Sequence, residues 1–91
     1  VCECKAYTWT ASGNTPSAKI SNLKEAVQYL RLLPEETNKV LAVLASLRPP
    51  KTETLGNYFV RLNEYVLGDV CVAEFSLDGT YRVIFGDMKP N

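Results

Sequence analysis

Histidine is absent from the 91-residue chain, which removes the commonest general base near neutral pH and the commonest metal ligand. Any catalysis would fall to carboxylates, Lys, Tyr, Cys or Arg. An excess of one charge is missing too, because ten Lys plus Arg balance ten Asp plus Glu. The basic surplus that a phosphate backbone selects is therefore lacking, and nucleic acid is disfavoured as a partner. No apolar run approaches the roughly 18 residues that a membrane span requires, and no basic-then-apolar leader is present, so no membrane is expected. Val1 stands where Met would be, which points to a processed chain or an excised domain, and a cytoplasmic location is favoured over secretion.

Cysteine is sparse and odd in number: Cys2, Cys4 and Cys71. With no His and no fourth Cys, a closed zinc site within one chain is not expected, and neither a metal nor a cofactor is implied. On an extended strand Cys2 and Cys4 would share a face about 6.6 Å apart, a strained separation for bonding each other. Either could bond Cys71 if their strands were neighbours. The simplest expectation is small buried thiols in a reducing compartment. A secreted effector or inhibitor is the alternative suggested by the missing Met and the cysteines.

What is present describes one soluble globular domain spanning residues 1–91, with 46% hydrophobic and 22% charged content. VCECKAYTWT alternates as a strand, and ASGNTPSAKIS reads as loop. Asn22 followed by Glu25 matches a capping box, and Leu23, Ala26, Val27, Leu30 and Leu33 keep helical spacing, so a helix is expected over residues 23–33. Pro34 ends it and suits the start of another, favoured by Glu35 and Glu36. Val40, Val43, Leu44 and Leu47 repeat at i, i+3, i+4 and i+7 before Pro49-Pro50, which predicts a second helix and hence a helical hairpin. NYFVRLNEYV reads as a strand. The predicted fold is α+β, an antiparallel three- to four-stranded sheet packed on a two-helix hairpin, in the order β-α-α-β-β-β.

GDVCVAEFSLDGTYRVIFGD carries the strongest local signal, with Asp78-Gly79 between two β-rich runs. A two-residue turn would pair Phe75 with Arg82 and Ala73 with Ile84 on one face, and Glu74 with Val83 and Val72 with Phe85 on the other. Both faces then hold large apolar side chains, yet two helices can cover only one side of a small sheet. Val70, Val72, Tyr81, Val83 and Phe85, with Trp9 as a further anchor, are the candidate binding residues. The other outcome is internal cover, by the N-terminal strand and its loop or by closure into a small barrel.

Two resemblances bear on this reading. "LRLLPEETNKVLAVLASL" followed by "GTYRVIF" resembles the RelE/ParE toxin family, small domains with a strand, a helical hairpin and an antiparallel sheet. That resemblance implies an mRNA-cutting ribonuclease in which Arg61, Arg82 and Lys51 orient phosphate and stabilise negative charge while Tyr81 assists proton transfer. Gly68, Asp69, Cys71, Ala73, Phe75, Asp78, Gly79, Tyr81 and Arg82 are similar to the start of a Tudor domain, over 15 residues. The later strands of that barrel and its methyl-cation cage have no counterpart here. Because no catalytic constellation stands out, the leading expectation is a small non-enzymatic domain that binds a protein partner or forms a homodimer through a sheet face.

Overall fold

The computed structural model describes residues 1–9, 17–47 and 52–86. Its elements are β1 (Cys2–Lys5), α1 (Ser17–Arg31), β2 (Val40–Leu44), α2 (Leu55–Leu67), β3 (Cys71–Phe75) and β4 (Tyr81–Phe85). They form a four-stranded sheet in the order β1-β2-β3-β4, in which β1, β2 and β3 run parallel and β4 is antiparallel to β3. The α+β class with four strands and two helices is as expected. The antiparallel sheet and the helical hairpin are not: the sheet is mixed and the order is β-α-β-α-β-β.

Two segments exchange identity, and each has a physical cause. Val40–Leu44 is a continuous apolar run, VLAVL, whose spacing fits a helix or a strand buried on both sides equally well. Placed between β1 and β3, it gains a partner on each edge, which suits such a run. Pro34-Glu35-Glu36-Thr37 then forms a turn, closed by the Thr37 N–H donating to the Pro34 carbonyl at 3.0 Å, instead of starting a helix. Residues 55–67 carry alternating aromatic and branched side chains that mimic a strand. Their buried positions, Leu55, Phe59, Asn63 and Leu67, recur every four residues, and Thr54 caps the helix by accepting from the Asn57 N–H at 3.2 Å. Helix α1 begins at Ser17, before the capping box at Asn22. The added turn carries Ile20 onto the core beside Leu23 and Val27.

Parallel neighbours must be joined by crossovers, and the strong right-handed preference of these sends both helices to the same face when the strands run 1-2-3. The core fits that rule. Leu41, Val43 and Val72 from the sheet pack with Leu23, Ala26, Val27 and Leu30 of α1 and with Phe59 and Leu67 of α2. The shortest extent of the Cα trace is 17 Å, which suits two layers at about 10 Å spacing. At the C-terminal ends of the parallel strands, the Trp9 backbone N–H donates to Ser46 Oγ and the Leu55 N–H to the Ser46 carbonyl. Trp9 also meets Tyr58 of α2 edge-on, with ring centroids 5.2 Å apart, which ties the β1–α1 connection to that helix.

The β3–β4 turn is one residue longer than the predicted two-residue turn. Ser76 N–H donates to the Thr80 carbonyl at 2.8 Å, leaving Leu77, Asp78 and Gly79 as the loop. Gly79, at φ 92°, supplies the left-handed residue that a three-residue hairpin requires. The extra residue shifts the register, so that Phe75 faces Tyr81, Glu74 faces Arg82 and Ala73 faces Val83. An irregularity between Val72 and Ala73 leaves Ile84 without a direct partner and restores Val72 opposite Phe85.

Candidate functional site

Residues paired in register share a face, so Leu41, Val43 and Val72 mark the helix side of the sheet. Glu3 and Lys5 stand opposite Leu41 and Val43, Glu74 stands opposite Val43, and Arg82 stands opposite Glu74. Every charged strand residue therefore belongs to the helix side. The outer side is built from Cys2 and Cys4 on β1, then Val40, Ala42 and Leu44 on β2. Cys71, Ala73 and Phe75 on β3 continue it, and Tyr81 and Val83 on β4 complete it. None of these ten side chains carries a full charge, and neither helix packs on them. Charged residues ordinarily occupy the solvent face of a sheet backed by helices on one side only; here the polarity is inverted.

The buried charge on the helix side is compensated locally. Glu74 is 2% exposed, and its Oε1 accepts from Arg82 Nη2 at 2.9 Å and Nε at 3.2 Å. Its Oε2 has no hydrogen-bond partner among the described residues. It lies against the first turn of α2, where a Cβ on Gly56 would come within 3.1 Å of it and within 2.7 Å of Val43 Cγ2. Glycine is what permits this approach, and the positive end of α2 favours the carboxylate there. Ala45, Ser76, Thr80 and Tyr81 join the pair around a cavity of about 120 Å³. At the opposite end of the sheet the buried Lys39 pairs with Asp69 at 2.7 Å. Both pairs join elements of the fold, and in each the cation already faces a carboxylate.

The predicted binding residues separate in two groups. Val70, Val72 and Trp9 are buried, and Phe85 is half-buried against the core. Tyr81 and Val83, at 68% and 43% exposure, lie together on the outer face. The turn length is responsible, because a two-residue turn would have set Val83 beside Val72, whereas the observed register sets it opposite Ala73. Sequence reading missed Val40, Leu44 and Phe75 as members of this face. Its useful signal was Glu74 and Arg82, whose opposite charges pair across the strands only with the longer loop.

The basic candidates sit on different elements with different partners. Arg61, on α2, is paired with Glu53 and lies 5.5 Å from the Tyr58 ring centroid. Glu53 holds the guanidinium pKa above its usual value, first by the hydrogen bond and then by charge. Arg82, on β4, is committed to Glu74, and Lys51 lies outside the described residues.

Cys2 and Cys4 are exposed, contrary to the expectation of buried thiols, and their Sγ atoms are 3.6 Å apart. Cys71 is buried on β3, with β2 intervening. Two strand spacings put it about 9.6 Å from β1, beyond the roughly 7 Å limit for a disulfide, so the expected option of a bond to Cys71 is not met. Among the described residues no three His, Cys, Asp or Glu side chains group as metal ligands, and no helix is long and apolar enough to cross a membrane. Comparison with known protein families, curated proteins and solved structures yields no match to this chain.

Proposed function

We propose that this chain is a non-enzymatic interaction domain that pairs with a second copy of itself through the outer face of its sheet. The observation that carries the reading is the inverted polarity: four charged strand residues on the helix side of the sheet and none among ten on the outside. A sheet face free of charge is suited to contact with another apolar surface. An identical copy supplies one with no charge to desolvate, and a net charge of zero gives no long-range repulsion between copies. A two-fold arrangement lets the same patch meet itself, as in most homodimers.

The size of the face sets the expected strength. Four strands about 4.8 Å apart and about 16 Å long make a patch of roughly 300 Å² in projection, or about 500 Å² of accessible surface. Two copies would bury about 1,000 Å², at the lower edge of specific interfaces, which fits association in the micromolar range. Phe75, Tyr81 and Val83 form its most aromatic part, with Val40 and Leu44 beside them; the thiols of β1 lie at its margin.

Sedimentation velocity over a concentration series, from about 1 µM to about 1 mM, tests the proposal. The native chain should pass from monomer to dimer, and Val83→Lys and Phe75→Glu should each hold it as a monomer with unchanged far-ultraviolet circular dichroism. A native chain that stays monomeric throughout, or a dimer indifferent to both substitutions, overturns it.

A further inference from the structure

We infer that Cys2 and Cys4 form a reversible dithiol–disulfide site that exchanges with small disulfides of the glutathione class. This inference goes beyond self-association and stands without it, since it concerns chemistry within one chain. The two sulfurs are 3.6 Å apart and both residues are exposed. They sit one residue apart on β1, an edge strand bonded on one side only, to β2. Two steps of strand rise separate their Cα atoms by about 6.6 Å, inside the roughly 4.4–6.8 Å window that a disulfide spans. A link near the top of that window, at a solvent-exposed edge, belongs to the labile class of disulfides and not to the structural one.

The surroundings favour this pair over other fates for the thiols. Their register partners, Val40 and Ala42, bring apolar side chains, while the Ala42 backbone hydrogen bond and the N-terminal amine favour the thiolate of Cys2. Glu3 and Lys5 face the other side of the sheet, toward α1, so the carboxylate of Glu3 does not oppose an anionic disulfide approaching the thiols. Cys71 is two strands away, which leaves each thiol of β1 with the other as its resolving group.

The exchange balances in two steps. A thiolate of the pair attacks one sulfur of oxidised glutathione, the glutathione S–S bond breaks, and a glutathione thiolate departs to leave a mixed disulfide on the protein. The second thiol gives its proton to solvent and attacks the protein sulfur of that mixed disulfide, expelling the second glutathione thiolate. Overall the protein dithiol loses two electrons and two protons, and oxidised glutathione becomes two molecules of the reduced form. Burial and then the hydrogen bond with Cys4 push the Cys2 thiol above its ordinary value. The thiolate fraction, and with it the first step, therefore grows as pH rises through the alkaline range.

Intact-mass analysis tests the site, after equilibration with defined ratios of oxidised to reduced glutathione, acid quenching and alkylation. The expected product is a monomer lighter by two hydrogen atoms in which neither Cys2 nor Cys4 takes up alkylating agent, and which reverts fully when the ratio is reversed. Cys4→Ser should lose that product completely and stop at the adduct carrying one glutathione, whereas Cys71→Ser should still form it. Circular dichroism checks that each variant is folded. Retention of both alkylatable thiols in fully oxidised glutathione, a lasting mixed adduct on the native chain, or a product of doubled mass would each overturn the inference.

Discussion

On the helix side of the sheet, Glu3, Lys5, Glu74 and Arg82 stand beside Leu41, Val43 and Val72. On the outer side, Val40, Leu44, Phe75 and Val83 stand beside neutral small residues. The difference teaches where charge is tolerable in a two-layer domain. On the helix side the buried Glu74 has local compensation, from the facing Arg82 and from the start of α2, whereas Glu3 and Lys5 line an open cleft at the edge of β1 with Asn22, Glu25 and Tyr29. Outside, no helix packs on the face, and its side chains among the described residues carry no charge.

The sharpest way to test that contrast is to remove one large side chain from each face. Phe59 is fully buried between α2 and the sheet, so Phe59→Ala should cost about 3–5 kcal/mol in lost burial and cavity formation. Val83, 43% exposed on the other face, should cost less than about 1 kcal/mol when changed to Ala in the monomer. Urea unfolding at a concentration where the protein is monomeric measures both. Equal losses would mean that the outer face is packed within the chain, and the asymmetry would vanish.

A smaller effect should follow from breaking the compensation itself. Arg82→Ala leaves the Glu74 carboxylate buried with Oε1 deprived of both its donors, which should cost about 2 kcal/mol; the exposure of Arg82 keeps the loss below that of a fully buried pair. Adding Glu74→Met to Arg82→Ala should recover most of it, because the buried charge is gone and the volume is kept. If the double variant is as unstable as the single one, the pair acts through packing alone and the charges on this face are not specifically compensated.

How much of this was legible in the sequence depends on the kind of signal each segment carries. The buried stripe of α1, Leu23, Ala26, Val27 and Leu30, was readable because its apolar residues alternate with polar ones at helical spacing. The run VLAVL was not, because a segment apolar at every position has no period to distinguish helix from strand. Residues 55–67 misled for the opposite reason: Tyr58, Val60 and Leu62 alternate, but the burial that decides the matter falls on Leu55, Phe59 and Leu67. Once β2 became a strand, its two crossovers fixed the parallel order and placed both helices on one side. That large apolar side chains lie on both faces was readable in residues 70–85. The membership of each face was not, because one loop residue and one bulge exchange Val72 for Val83 between faces.

The smallest effect concerns the turn that sets this register. Asp78 accepts from the Thr80 N–H at 3.0 Å and from Thr80 Oγ1 at 2.7 Å, and these bonds, the backbone one first, hold its carboxyl below the ordinary value of 3.8. A carboxyl depressed in the folded state stabilises it above the unfolded value and loses that contribution as pH falls through the lower, folded one. The loop should therefore loosen only in strong acid, below the ordinary carboxyl range. Protection of the Thr80 amide from hydrogen exchange, corrected for the intrinsic rate at each pH, should fall in that window while the amides of β2 stay protected. Asp78→Asn, which keeps an acceptor without the charge, should flatten the pH response. If Thr80 and β2 lose protection together, the turn does not open by itself and the pairing of Tyr81 with Phe75 on the outer face is held by the strands and not by Asp78.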